Sequence, residues 1–393
     1  MAAAWTRHHG EVSNPAVDNP AFSNPAVDNP AVTSTAVLVL GFGGPDGPDD
    51  VMPFLRTVTR GRNVPDDRLA TVAEQYRQFG GCSPINNQNR ALVEALQKEL
   101  TGAGHNLTVY WGNRNWHPFL GDTVAEMAND GITDALVFAT SAFGSYSGCR
   151  QYREDLALAA QNFGPGAPTL QKLRLFYNHP GFIGSLAANL RATLDGIRDQ
   201  THRPDHPARP SDNDDATAEA LDPDTNTRLV FTAHSIPTSM AAGCDYAAQL
   251  NEAAGLVAAA AGWGDGEWDL AYQSRSGPPS VPWLEPDIND HLHHLQAQGF
   301  AQIVVVPLGF ISDHMEVLFD LDTQAQARAD QLGMTMHRVP TVGTAPRFVT
   351  MIRQLIEEQL PGHNGLRLAL GSQGPWPDEC PAGHCPAPRR PGR

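Results

Sequence analysis

Lysine is almost missing from this chain: of 27 basic residues only Lys98 and Lys172 are lysines, and 43 acidic residues leave a formal charge of −16. A field of that sign opposes a phosphate backbone, which excludes nucleic-acid binding as a function class. The arginines that make up the other bases supply planar forks suited to carboxylates. Long apolar runs are missing as well. The longest, such as Val37–Leu40 and Ile303–Val306, fall far short of the ~20 residues of a membrane span, so no integral membrane segment is expected. Five cysteines without regular spacing do not make a disulfide framework. With no apolar core of signal-peptide type near the start, a cytoplasmic, reducing location is expected. Nor is there a dinucleotide fingerprint. Gly41-Phe42-Gly43-Gly44-Pro45 lacks the third glycine of G-x-G-x-x-G, and Pro45 removes an amide that would cradle phosphate.

What is present is alternation. Residues 1–35 hold an Asn-Pro repeat, Ser13 to Val32, in which each proline removes a donor and disfavours helix, and a disordered tail is expected there. Beyond it, short apolar runs alternate with helical patterns. Strands are expected at Ala36–Phe42, Asn106–Gly112, Ala135–Thr140 and Leu173–Tyr177, then at Arg228–His234, Asp269–Gln273, Gln302–Pro307 and Thr335–Val339. The pattern predicts an α/β fold of two similar open parallel sheets facing a cleft. Expected divisions are a first lobe at 36–178, a second at 179–362 interrupted by a polar, acidic insertion at 201–227, and a Pro/Gly/Cys tail at 363–393.

Ligands in such sheets sit beyond the carboxyl ends of the strands. His234 closes the run RLVFTAH, where an imidazole can accept a proton near neutral pH or bind a borderline metal; it can equally be a packed histidine. The segment Ile311 to Asp320 adds context. Read as a helix, it places Asp313, Glu316 and Asp320 at i, i+3 and i+7, within about 60° of arc. This acidic stripe is either a solvated face or a path for a hydrated cation towards His234.

The strings GFGGPDGPDDVMPFL, QFGGCSPINNQN, YWGNRNWHPFL, FTAHSIP, YQSRSGPPSVPWLEP and GFISDHMEVLFDLD, in this order, resemble the ferrochelatases, in particular the actinobacterial coproporphyrin ferrochelatases. The resemblance implies two Rossmann-like lobes, each with a four-stranded parallel sheet, and a lyase of haem biosynthesis that inserts Fe²⁺ into coproporphyrin III to give coprohaem. Insertion into protoporphyrin IX and a non-catalytic tetrapyrrole or haem carrier stay open as alternatives. The resemblance further implies His234 and Glu316 as catalytic and iron-binding residues, and Phe42, Arg60, Tyr76, Ser83 and Tyr152 as porphyrin contacts. Arg62 stands near Arg60 as a second candidate for propionate. Where some members place an iron-ligating tyrosine, this chain has Phe42, which excludes a phenolate ligand. Thr59 and Gln75 stand where others have arginine. Some relatives hold a [2Fe–2S] cluster, and Cys149, Cys380 and Cys385 match three of its ligands. The fourth is open among His384, Cys82 and Cys244, and a zinc clip or free thiols are the rival readings of the tail. Porphyrin and Fe²⁺ are the implied partners, with transient contact to other haem-pathway enzymes.

Overall fold

Two sheets of identical connectivity carry the fold. The computed structural model describes residues 34–61, 64–201 and 226–387, so the Asn-Pro repeat, Arg62 and most of the acidic insertion lie outside it. The first sheet contains β1 (Thr35–Gly41), β2 (Val109–Asn113), β3 (Asp134–Ala139) and β4 (Thr169–Lys172), the second β5 (Thr227–His234), β6 (Trp268–Gln273), β7 (Gln302–Val306) and β8 (Thr335–Arg338). Their spatial orders are β2-β1-β3-β4 and β6-β5-β7-β8, with every pairing parallel. The central strands are continuous apolar runs because helices cover both faces, leaving no solvent side for alternation to mark.

The helices are α1 (Val51–Val58), α2 (Asp66–Gln78), α3 (Ile85–Gly102), α4 (Leu120–Asn129), α5 (Gln151–Phe163) and α6 (Pro180–Thr201) in the first part of the chain. After β5 come α7 (Thr238–Ala241), α8 (Tyr246–Ala260), α9 (Ile288–Ala297), α10 (Met315–Val317), α11 (Gln326–Gln331) and α12 (Pro346–Glu357). α12 starts on Pro346, whose missing N–H costs nothing in a first turn, and packs against both α3 and α6. One apolar core therefore runs through both halves. Val37, Leu96 and Phe138 of the first half join Leu229, Val304 and Phe348 of the second, and the rings of Phe138 and Phe176 stack at 5.1 Å. No described helix is long and apolar enough to cross a membrane.

The fourth expected strand is displaced. Pairing with β3 uses Thr169–Lys172, and the apolar run Leu173–Tyr177 leaves the sheet edge to bury itself in the shared core. Edge strand β4 is polar because most of it faces water, whereas the more apolar stretch beside it answers to packing. The bidentate pair of Arg174 with Glu358, both distances 2.7 Å, lies in this stretch and joins the end of α12 to the first half.

Candidate functional site

His234 stands where β5 runs out. The strand is buried to Ala233, and Ser235 N–H continues the ladder to Gln273 O at 2.8 Å. Two contacts seat the imidazole. Gly309 lies against β5 so closely that a Cβ there would come within 2.8 Å of Ala233, so only glycine lets the loop after β7 close on this strand end. Behind, the Tyr246 hydroxyl donates to the His234 carbonyl at 3.0 Å. The ring's Nδ1 lies 2.5 Å from the carbonyl oxygen of Ser235. A carbonyl only accepts, so Nδ1 carries a proton and the neutral ring presents an unprotonated Nε2. Nε2 faces Glu316 Oε1 at 3.6 Å, an electrostatic contact longer than a hydrogen bond.

The acidic segment is not the regular helix expected from Ile311 to Asp320. Ile311 to Asp313 are outside any helix, and His314, in extended conformation, caps α10 by accepting the Glu316 N–H at its Nδ1. From Leu318 to Ala325 the turns widen to i→i+5 geometry, with the Thr323 hydroxyl donating to Leu318 O five residues back. The three acids accordingly diverge. Asp313 pairs with Arg338 at 2.9 Å, Glu316 faces His234, and Asp320 accepts a hydrogen bond from the Ser274 hydroxyl. Ser274 holds a left-handed backbone (φ 62°), strain of the kind that persists where surrounding contacts fix a functional position. The sequence marks Ser274 only as part of a loop beyond a strand end, and it gives no role to Gln88, whose side-chain amide bonds the backbone N–H and C=O of Asp313 at 2.8 and 3.2 Å. That clasp brings α3 of the first half against the loop of the second.

Glu316 is enclosed by protein on most sides, yet 48% of its side chain stays open, as does 32% of His234. Both groups can therefore be reached from solvent. Burial alone would raise the Glu316 carboxyl, but the His234 charge, and His314 beyond it, hold it down at about 2. For His234, burial would lower the imidazole, and Glu316 with the Ser235 carbonyl and Asp320 overcomes that to raise it above its ordinary value. Burial and the Glu316 charge push Asp320 up to about 7. Glu316 is thus far more acidic than its two neighbours, His234 and Asp320, both of which are raised. In Glu316→Gln the burial remains while the opposing charge is gone, so His234 is expected to titrate at lower pH than in the parent chain. The imidazole proton resonances followed by NMR check this, and an unchanged or higher midpoint contradicts it.

The other candidates belong to the first half. Phe42 follows β1, is partly exposed, and meets Phe54 edge-on at 6.3 Å; Phe54 in turn meets Tyr76 at 6.1 Å and Trp116 at 6.1 Å. The Tyr76 phenol is raised by burial and by Glu316, which places it opposite the second half's acid. Arg60 is exposed just past α1. Ser83 and Tyr152 are only 3% and 4% exposed, with Arg114 over the Tyr152 ring at 4.4 Å and ion-paired to Asp155. The structure therefore brings His234 and Glu316 together, places Tyr76 within electrostatic reach of Glu316, leaves Phe42 partly exposed beside Phe54, and keeps Ser83 and Tyr152 buried.

Comparison with known proteins agrees with this geometry. The family model described as Ferrochelatase matches residues 34–360. The chain belongs to the ferrochelatase family. Among its curated relatives, a ferrochelatase of Rhodopirellula baltica is 49% identical over 356 residues, covering 90% of this chain and 94% of that one. A coproporphyrin III ferrochelatase of Frankia alni is 50% identical over 369 residues, covering 90% and 87%, and one of Nocardia farcinica 48% over 367 residues, covering 91% and 97%.

This ferrochelatase family member also gathers thiols away from the cleft. Cys149 lies in a wide helical turn, Tyr146–Arg150, ahead of α5, and Cys380 and Cys385 lie in the irregular segment after α12. That segment is tied down by the Arg153 guanidinium on Asp378 O, by Asn178 on Leu370 O and Gly374 O, and by Cys385 N–H on Gly243 O at 2.9 Å. A hydrogen bond from Cys380, with Lys172 and Arg153 alongside, holds the buried Cys149 thiol down at about 5. Among the described residues no three His, Cys, Asp or Glu side chains converge as a site for one ion.

Proposed function

We propose that this chain inserts Fe²⁺ into coproporphyrin III. The observation that carries the reading is Nε2 of His234 facing Glu316 Oε1 at 3.6 Å, with both side chains open to solvent and Tyr76 of the other half within electrostatic reach of Glu316. Metallation requires two pyrrole protons to leave and the metal to exchange water for ring nitrogens. The neutral Nε2 is suited to take a proton from the ring or to hold the incoming ion. Glu316 stays ionised and offers hard oxygen ligation, and it stabilises the imidazolium formed when Nε2 is protonated. Asp320, near 7 and bonded to Ser274, is matched to pass that proton onward at neutral pH.

Phe42 and Tyr76 give the macrocycle an aromatic wall, and Arg60 provides a cation for a propionate. Ser83 packs beneath Gly44, two residues past Phe42, and the Tyr152 ring lies under the Arg114 guanidinium. Relatives named as coproporphyrin III ferrochelatases across most of the chain favour the tetracarboxylate over protoporphyrin IX. Anaerobic incubation with Fe²⁺ and each porphyrin tests the assignment through the Soret and Q bands. Faster metallation of coproporphyrin is the expected result. Equal or faster metallation of protoporphyrin overturns the substrate, and no spectral change with either overturns the enzyme.

We further propose that the chain holds a [2Fe–2S] cluster to which Cys149, Cys380 and Cys385 contribute. The donor set suits it: soft thiols, one of them already easily ionised, in a partly buried site with cations close by. When bound, such a cluster supplies strong iron–sulfur cross-links and a one-electron couple.

A further inference from the structure

We infer that Cys244 is the fourth cluster ligand, and that the four thiols act as two pairs, Cys149 with Cys380 and Cys244 with Cys385, one pair for each iron. The inference rests on the cluster reading above and extends it to a ligand that the spacing of the cysteines leaves open.

The pairing is physical. Cys149 and Cys380 adjoin closely enough to shift each other's thiol, as do Cys244 and Cys385, and Cys385 in turn has Cys149 and Cys380 as electrostatic neighbours. Backbone contacts place the same residues independently. Cys385 N–H docks on the carbonyl of Gly243, next to Cys244, and Pro386 packs on Gly243 itself. On the other side Arg153, one turn past Cys149, holds the carbonyl of Asp378, two residues before Cys380. A two-iron cluster with four thiolates takes two from each side, and two adjoining thiol pairs offer that arrangement.

The surroundings fit an anionic group. Lys172 is buried, donates to the Leu173 carbonyl at 3.1 Å, is not paired with a carboxylate among the described residues, and has Cys149, Cys380 and Arg153 as its electrostatic neighbours. An ammonium buried in this way calls for compensating negative charge. The Trp376 indole N–H faces the Cys380 sulfur and has no other partner. It is placed as a donor to a ligand sulfur.

The other two candidates are engaged elsewhere. Both nitrogens of His384 are taken, Nε2 by Asp245 at 3.1 Å and Nδ1 by the Cys385 sulfur at 3.1 Å, which makes it a support for Cys385. Cys82 lies beside Asp46 and Arg90 at the start of α3 and shares no contact with the other four thiols. A cluster on Cys149, Cys244, Cys380 and Cys385 would join loops of both halves to the end of the chain.

The test uses the full chain, reconstituted anaerobically with ferrous iron and sulfide to about two of each per chain. Iodoacetamide with mass mapping is expected to alkylate Cys82 while Cys149, Cys244, Cys380 and Cys385 are protected, and all four to react once a chelator strips the iron. Cys244→Ser is expected to lose the cluster absorption or to shift the g values of the dithionite-reduced EPR signal, with Cys82→Ser matching the parent. Alkylation of Cys244 in the loaded protein at the rate of Cys82, or an unaltered signal in Cys244→Ser, overturns the assignment and leaves the cluster reading standing. Failure of the unmutated chain to retain iron and sulfide overturns both.

Discussion

Replacing His234 with alanine is expected to slow iron insertion by about 10²–10⁴-fold, the usual worth of a positioned general base. Porphyrin affinity, read by quenching of protein fluorescence, should stay close to that of the parent. The split follows from the geometry. His234 is the last residue of its strand and offers one nitrogen to the cleft, whereas the aromatic wall of Phe42, Phe54 and Tyr76 belongs to the other half and does not depend on it. Insertion that persists within about tenfold of the parent rate would remove His234 from the chemistry. Loss of porphyrin binding together with insertion would instead assign it to the binding surface.

A second large effect is expected far from the cleft. Glu358 and Arg174 are 3% and 1% exposed, and their bidentate pair is joined by Arg367 on Glu358 and by the Leu368 carbonyl on Arg174. Glu358→Gln keeps the shape and removes the charge, leaving Arg174 buried without its counter-ion. Removing one partner of a buried pair costs about 3–5 kcal/mol. The urea midpoint should fall accordingly with little change in slope. A double variant that replaces both partners with apolar residues is expected to recover much of the loss, because no buried charge is left uncompensated. A fall below about 1 kcal/mol for the single variant would show that water and the Leu368 carbonyl already satisfy Arg174.

Which parts of this fold can be read from the residues follows from what each segment answers to. Continuous apolar runs such as Val37–Leu40 and Ile303–Val306 mark central strands because both sheet faces are covered, and seven of the eight expected strands lie within a few residues of the observed ones. The exception, β4, is a polar edge beside a more apolar stretch that packs without pairing. His234 and Glu316 could be singled out from their motifs, and the fold brings the two to 3.6 Å of each other. The divergence of Asp313 and Asp320 could not, because a 3.6-residue period assumes regular turns, and only the fold shows the wide turns from Leu318 onward. The meetings of Cys244 with Cys385 and of Gln88 with Asp313 were not legible, for another reason. Each joins residues more than a hundred positions apart, and nothing local marks such a meeting.

The Gln88 clasp has a consequence for turnover. One amide bonds both backbone groups of residue 313, so the spacing between the aromatic wall and the acid-bearing loop is set locally by two hydrogen bonds. At about 0.5–1.5 kcal/mol each, such a fastening resists thermal jostling yet yields to a modest push. A rigid flat product can therefore depart by local loosening at this rim, with both sheets and the core beneath them left undisturbed.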